Sequence, residues 1–130
     1  MKMIIGGSFQ GKSAYAKEKF KLSDEEILNG EKCDCSAVFK AKCVSNFHAL
    51  IARLIDDKID PIEFTERLCR ENSDAVIIAD EIGSGIIPIE KNDRIWREQT
   101  GRACCIIAAN SELVVRIFCG IPEVIKGELR

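Results

Sequence analysis

The feature that most constrains the fold is the stretch GGSFQGKS, residues 6–13, which directly follows the apolar run Met1–Ile5. A short apolar run that ends at glycine is typical of a buried strand. The segment Lys12–Lys21 contains neither glycine nor proline and predicts a helix. A stretch that fits G-x-x-x-x-G-K-[ST] between a strand and a helix indicates a phosphate-binding loop. We call residues 6–13 the P-loop and expect it to open an α/β domain.

The residue types of the P-loop each have a chemical reason. Glycines let successive backbone N–H groups point at phosphate oxygens, and the following helix adds its N-terminal dipole. Lys12 is expected to reach the β- and γ-phosphates, and the Ser13 hydroxyl to hold Mg²⁺. A glycine turn beside a surface lysine is the alternative explanation. The candidate nucleotide-binding residues are Gly6, Gly7, Ser8, Phe9, Gln10, Gly11, Lys12 and Ser13.

A second, acidic element is expected where a P-loop binds a nucleotide with magnesium. The segment Ser73–Asp80, SDAVIIAD, reads as an apolar strand that ends in a carboxylate, and Glu81 follows it. Ligands of open α/β sheets bind at the carboxyl ends of strands, so at least one of the two carboxylates is expected to be functional. We assign Asp80 to the metal with Ser13, and Glu81 to catalysis with Lys12. Solvent-exposed turn carboxylates are the alternative.

The remaining patterns alternate between helices and strands. Apolar residues at intervals of three and four predict a helix over Ser36–Asp57 with Ser36 as its N-cap, although Ser45 or Asn46 could begin a second helix. The other expected elements are a strand or helical turn at Asp24–Gly30, a helix from Pro61 to Glu71, a loop at residues 83–88, a long helix over residues 89–109, a strand at Glu112–Cys119, a turn at Ile121-Pro122 and a hairpin strand at Glu123–Lys126. This alternation predicts one domain over residues 1–130, with a three-layer P-loop NTPase-like α/β fold, a mostly parallel sheet and a C-terminal hairpin.

Composition narrows the function classes. The formal net charge of the 130 residues is −2, whereas proteins that bind duplex nucleic acid usually carry a basic surplus. No apolar run approaches the roughly 18 residues of a membrane span, and no apolar signal region precedes the P-loop. We therefore expect a cytoplasmic protein without nucleic-acid or membrane partners. The seven cysteines are odd in number and lack C-x-x-C spacing, so we expect reduced thiols, most of them in the core.

Three stretches carry a more specific pattern. They are IIGGSFQGKSAYA at the N-terminus, DEIGSGIIP at residues 80–88 and RIWREQTGR at residues 94–102. The first resembles the P-loop, including its double glycine, of the bifunctional adenosylcobinamide kinases and adenosylcobinamide-phosphate guanylyltransferases of cobalamin biosynthesis. The second is similar to that family's N-E-V-G-x-G-I-V-P stretch, and the third to its R-x-[FW]-R-[DE]-x-x-G-R helix. The chain end, with its predicted hairpin ending VIK, also fits.

The resemblance implies a substrate pair and further site residues. It implies ATP or GTP with Mg²⁺ as the phosphoryl donor, the hydroxyl of adenosylcobinamide as the acceptor, and a homo-oligomer. It also implies that Arg97 and Arg102 bind nucleotide, since guanidinium groups suit bidentate contacts to phosphate. A solvated helix face is the alternative for these arginines, and it is the explanation that we prefer for Arg94. Trp96 is expected in the core.

The middle of the chain departs from the family. The segment between the first helix and DEIGSGIIP is shorter, and it lacks the basic surroundings of the histidine that receives GMP in the family. The single histidine, His48, borders the apolar face of a predicted helix and is expected to be a packed or surface residue, with a nucleotide-accepting role as the alternative. After Arg102 the chain has Cys104 and Cys105 where the family has a polar pair. We therefore expect kinase activity without guanylyltransferase activity.

The sequence thus predicts a nucleotide-binding phosphotransferase that resembles adenosylcobinamide kinase. Catalysis would come mainly from positioning and charge neutralisation at the phosphates. Two other interpretations stay open. One is a non-catalytic or regulatory protein that binds a nucleoside triphosphate, and the other is a kinase or nucleotidyltransferase for another small metabolite.

Overall fold

Short apolar segments pair into one sheet. The computed structural model describes residues 1–8, 10–82 and 91–129, and for Lys91 it describes the backbone only. The strands are β1 (Lys2–Gly6), β2 (Ile27–Asn29), β3 (Cys43–Ser45), β4 (Val76–Asp80), β5 (Leu113–Phe118) and β6 (Ile121–Lys126). Their order across the sheet is β2-β3-β4-β1-β5-β6. All neighbours are parallel except β5 and β6, which form an antiparallel hairpin. The predicted mostly parallel sheet with a C-terminal hairpin is confirmed.

Helices cover both faces of this sheet. The helices are α1 (Lys12–Phe20), α2 (Phe47–Asp56), α3 (Pro61–Glu71) and α4 (Lys91–Asn110), with short 3₁₀ helices at Asp24–Glu26 and Cys35–Lys40. Successive strand residues point to opposite faces, so Ile4 packs with Ala16 of α1 while Met3 packs with Leu50 of α2 and Ile107 of α4. The three-layer α/β fold expected from the sequence is therefore confirmed.

The strand order places the end of β1 at a reversal of the sheet. The chain leaves β1 toward β2, β3 and β4 on one side and later returns to β5 on the other side. In open α/β sheets such a reversal leaves a crevice at the carboxyl ends of the strands, where ligands bind. The P-loop begins at this point.

The helix expected over Ser36–Asp57 is wrong in its first half. Ser36 lies in a 3₁₀ helix whose N-cap is Asp34, and Cys43–Ser45 forms β3 between β2 and β4. A strand of three buried residues is too short to show a period of two, so its apolar residues matched a helical spacing instead. The alternative start at Asn46 is correct, because Asn46 is the N-cap of α2.

The other elements agree closely with expectation. Pro61 occupies the first turn of α3, where its missing N–H costs nothing, and Asp60 caps that helix. The hairpin is present, but its turn lies at Cys119–Gly120 and not at Ile121-Pro122, since both turn residues have positive φ. The predicted loop at residues 83–88 lies outside the described residues. Within the described part of the chain, no helix is long and apolar enough to cross a membrane.

Candidate functional site

The ends of β1 and β4 bring the glycine-rich loop and the acidic residues together. Gly6 is paired with Asp80 in the parallel register, and the N–H of Glu81 donates to the carbonyl oxygen of Gly6 at 2.8 Å. A Cβ added at Gly6 would lie 2.5 Å from the carbonyl oxygen of Ile117 on β5. Only glycine fits this close approach of two backbones, so the start of the P-loop is fixed against both neighbouring strands.

The P-loop turns directly into α1. Gly11 has φ 88°, and its carbonyl oxygen accepts the N–H of Tyr15 at 3.0 Å, so the helix starts immediately after it. The first N–H groups of a helix have no partner within the helix and favour an anion. Ser13 is exposed in this first turn, and Phe9 lies outside the described residues.

Lys12 is the central cation of the site. Its side chain is only 8% exposed. The ammonium group donates to the carbonyl oxygen of Gly7 at 2.7 Å and pairs with Oδ1 of Asp80 at 2.6 Å. A buried charge needs such partners because its desolvation is costly. The lysine and the aspartate predicted from separate motifs therefore lie in direct contact.

The carboxylate of Asp80 is held on its other side by Ser8. The Ser8 hydroxyl donates to Oδ2 at 2.8 Å. Burial by itself would raise the pKa of Asp80, but the hydrogen bonds from Lys12 and Ser8 outweigh it and leave this pKa below its ordinary value. Asp80 is therefore an anion at neutral pH, available to a cation.

His48 belongs to this site, which the sequence did not predict. It lies in the first turn of α2 with a side chain 14% exposed. Its Nδ1 accepts the backbone N–H of Asp80 at 3.1 Å, and its Nε2 lies 3.5 Å from Oδ2 of the same residue. Burial lowers the pKa of His48, which favours the neutral ring. The expectation of a packed histidine is right, but its packing partner is the candidate metal ligand.

The side chain of Glu81 points away from that of Asp80, because successive side chains along a strand alternate in direction. Its carboxylate forms a two-point ion pair with Arg116 of β5, with distances of 2.8 Å from Nε and 3.3 Å from Nη2. Arg116 was also missed, although a single charge within the apolar run LVVRIF was a usable signal. The site thus contains two carboxylates with different cationic partners.

Gln10 ties the P-loop to the C-terminal hairpin. Its side-chain oxygen accepts the N–H of Cys119, and its backbone oxygen accepts the N–H of Gly120 at 3.0 Å. A Cβ at Gly11 would lie 3.7 Å from Cα of Gly120. The hairpin turn therefore supports the loop from the side of β5.

The two arginines implied by the resemblance occupy different positions on α4. Arg97 is half-buried and follows Trp96, whose indole N–H donates to the carbonyl oxygen of His48 at 2.8 Å. Arg102 is exposed and lies five residues further on, about 7.5 Å along the helix axis at 1.5 Å per residue. The nucleotide-binding roles of Arg97 and Arg102 both stay predictions.

The donor atoms suit a magnesium nucleotide. Among the described residues there is no group of three or more histidine, cysteine or acidic side chains that could hold a metal alone. Next to Lys12, the site offers the carboxylate of Asp80 and the hydroxyl groups of Ser8 and Ser13. Mg²⁺ binds through one or two carboxylates together with water and substrate phosphates, so these residues fit Mg²⁺ in the presence of a nucleotide.

The fold and this loop place the chain in the class of P-loop NTPase-like α/β proteins. A family model described as cobinamide kinase / cobinamide phosphate guanyltransferase matches residues 33–125. The chain belongs to this family, whose members are nucleotide-dependent enzymes of cobalamin biosynthesis. The matched range includes His48, Asp80 and Glu81 and begins after the P-loop. No curated protein matches the chain.

Proposed function

We propose that the chain is a kinase that transfers the terminal phosphoryl group of ATP or GTP to the hydroxyl of adenosylcobinamide. One observation carries this proposal: the buried ammonium group of Lys12 lies 2.6 Å from the carboxylate of Asp80 at the adjoining ends of β1 and β4. This arrangement places a phosphate-binding cation beside a metal-binding anion. Membership of the cobinamide kinase family supports the choice of acceptor.

The proposed roles follow the geometry of the site. Backbone N–H groups of residues 6–13 and the ammonium group of Lys12 bind the phosphates, and Ser13 and Asp80 hold Mg²⁺. The bound ion would neutralise charge on the phosphate oxygens. The acceptor oxygen forms a bond to the γ-phosphorus, the bond from that phosphorus to the bridging oxygen breaks, and a nucleoside diphosphate leaves. Glu81 orients the acceptor hydroxyl or takes up its proton.

Other parts of the proposal extend beyond this centre. Arg97 and Arg102 are assigned to nucleotide binding, residues 1–130 to one domain, and the working form to a homo-oligomer in the cytoplasm. The choice between ATP and GTP is left to experiment, because base selection depends on side chains outside the phosphate site.

A second candidate is a nucleotide-binding protein without transfer activity. The two-point ion pair between Glu81 and Arg116 favours it, because a carboxylate that is already engaged by a guanidinium is not free to contact an acceptor hydroxyl. In the kinase the same pair would orient Glu81 toward the acceptor hydroxyl.

The first experiment is calorimetric titration of the protein with ATP and with GTP, each with Mg²⁺. We expect Lys12→Ala to weaken the preferred nucleotide roughly 100-fold, since hydrogen bonds to charged groups contribute about 1.5–3 kcal/mol. Arg67→Ala, on the exposed surface of α3, is the control and should bind like the wild type. Absence of nucleotide binding in the wild type would refute the proposal.

A second experiment separates the two candidates. Adenosylcobinamide is added to the nucleotide complex, and the nucleoside diphosphate and phosphorylated corrinoid are measured. We expect both products in equal amounts, and Glu81→Gln should lower the rate about 100-fold or more with nucleotide affinity unchanged. Tight nucleotide binding without any phosphorylated corrinoid would favour the non-catalytic candidate or another acceptor.

A further inference from the structure

The end of β4 extends beyond its neighbour β3. The pairing of β3 with β4 comprises Cys43 with Val76 and Val44 with Ile77. Further along β4, the backbone N–H groups alternate in direction. The N–H of Glu81 donates to Gly6 on β1, while the N–H of Asp80 points to the other side, where the sheet supplies no strand. A side chain from α2 takes the place of that strand.

That side chain is His48, and it contacts Asp80 twice. Nδ1 accepts the backbone N–H at 3.1 Å. A neutral ring that accepts through Nδ1 carries its proton on Nε2, and Nε2 lies 3.5 Å from Oδ2. Oδ2 is also the oxygen that accepts the Ser8 hydroxyl at 2.8 Å. His48 therefore contacts both the backbone and the carboxylate of one residue.

The helical turn that carries His48 is itself fixed by its surroundings. Two other residues of this first turn, Phe47 and Leu50, are completely buried. The indole N–H of Trp96 on α4 donates to the carbonyl oxygen of His48 at 2.8 Å. Two helices thus fix the turn from which the imidazole reaches the strand end, which is the arrangement of a rigid support.

We propose that His48 is a positioning residue that holds the end of β4, and with it the carboxylate of Asp80, in the orientation that receives the Mg²⁺ of a bound nucleotide. This inference rests on the proposed nucleotide-binding function and goes beyond it, because it assigns a role to the single histidine. Residues that orient a metal ligand commonly change metal affinity by 10-fold or more when they are replaced. His48 acts through Asp80 and touches neither phosphate nor acceptor in this assignment.

The test measures how much Mg²⁺ strengthens nucleotide binding. ATP or GTP, whichever the wild type prefers, is titrated calorimetrically with excess Mg²⁺ and again with a chelator. For His48→Leu we expect the ratio of the two affinities to fall about 10-fold, while the metal-free affinity, which depends on Lys12 and the loop backbone, stays unchanged. A ratio equal to that of the wild type would overturn the proposal.

Two conservative variants separate positioning from simple loss of packing. In His48→Asn the amide oxygen takes the place of Nδ1 and can accept the N–H of Asp80. The ratio of nucleotide affinities with and without Mg²⁺ should therefore return most of the way to the wild-type value. The longer His48→Gln carries its amide at the place of Nε2 and should behave like His48→Leu. Equal ratios for His48→Asn and His48→Gln would overturn the proposal, even if His48→Leu fails to fold.

A matched control addresses stability. The partly buried side chain of Asn72 donates to the carbonyl oxygens of Val38 and Ala41, at 2.9 and 2.8 Å, near the start of β4. We expect Asn72→Leu to lower thermal stability and to leave the Mg²⁺ ratio unchanged; an equal fall in that ratio would overturn the positioning role. If the wild type itself binds no nucleotide, the proposed function fails. If the wild type binds nucleotide but the His48 variants show its Mg²⁺ ratio, only the positioning role fails.

Discussion

The two ends of the parallel sheet each hold a lysine–carboxylate pair, and the two pairs differ in burial. At the carboxyl end, the side chains of Lys12 and Asp80 are 8% and 21% exposed and lie 2.6 Å apart. At the amino end, those of Lys2 and Glu112 are 30% and 68% exposed and lie 3.0 Å apart. An exposed pair contributes little stability, whereas a buried pair is costly to form. We therefore propose that charge serves a function at the carboxyl end.

The amino end of the sheet also carries a cavity. An open cavity of about 530 Å³ lies at the amino end, lined by Lys2, Phe20, Glu112 and Gly127 among others. At the carboxyl end, the side chain of Lys12 lies folded against Gly7 and Asp80. We place the candidate site at the carboxyl end, where buried charges converge.

The largest effect on stability is expected from breaking the buried pair. Asp80→Asn leaves the ammonium group of Lys12 without its anion, and we expect the free energy of unfolding to fall by about 2–3 kcal/mol. The double variant Lys12→Met/Asp80→Asn should recover most of this loss, because no buried charge is left unpaired. Urea denaturation of the wild type and of both variants checks this prediction, and a loss below ~1 kcal/mol in Asp80→Asn would contradict it.

A pair of glycines sharpens the comparison between the ends. A Cβ would lie 2.5 Å from the carbonyl oxygen of Ile117 at Gly6, and 2.1 Å from that of Glu112 at Gly127, where φ is +84°. We expect Gly6→Ala and Gly127→Ala each to cost about 2 kcal/mol of stability, from overpacking against rigid backbone. Only Gly6→Ala should also weaken nucleotide binding. Equal binding by the two variants in calorimetry would count against a site at the carboxyl end.

A smaller effect is expected from pH. Burial lowers the pKa of His48 from its ordinary value of 6.5, so the folded protein binds fewer protons than the unfolded chain near this pH. The stability from this group is therefore present above pH 6.5 and is lost as the pH falls toward the folded pKa. Asp80, whose pKa is also lowered, acts in the same direction below its ordinary value of 3.8. Urea denaturation from pH 7.5 to 5.5 should show a falling free energy of unfolding, and its dependence on pH should be weaker in His48→Asn. The same pH dependence in both proteins would show that His48 is not its source.

The smallest effect is expected at the exposed pair of the amino end. Glu112→Gln removes one charge beside Lys2, and we expect the free energy of unfolding to change by less than ~0.5 kcal/mol. Nucleotide binding should equal that of the wild type. A change comparable to that of Asp80→Asn would remove the distinction between the two ends.

The sequence predicts the parts of the site that depend on local pattern. The P-loop and the carboxylate after an apolar strand are recognisable because backbone geometry and chemistry restrict both to a few residue types. Their contact, between Lys12 and Asp80, follows once β1 and β4 are neighbours in a parallel sheet. The fold class was predictable for the same reason, since the apolar patterns of helices and of strands alternate along the chain.

The rest of the site depends on contacts that no local pattern encodes. His48 is 32 residues from Asp80, and Arg116 is 35 residues from Glu81. Both contacts arise from the packing of whole elements, and a histidine on an apolar helix face is compatible with many partners. The strand Cys43–Ser45 was missed because three residues carry no period. Very short strands, and side-chain contacts between residues far apart in the chain, are thus the features that the sequence does not predict.

The hydrogen bond from Trp96 to His48 has a spectroscopic consequence. Trp96 is the single tryptophan of the chain, and its indole N–H lies 2.8 Å from the carbonyl oxygen of the residue whose ring contacts Asp80. Indole emission is sensitive to the hydrogen bond and polarity at this nitrogen. The protein therefore carries an intrinsic fluorophore in contact with the backbone of His48, and a shift of the first turn of α2 during ligand binding can be followed optically without a label.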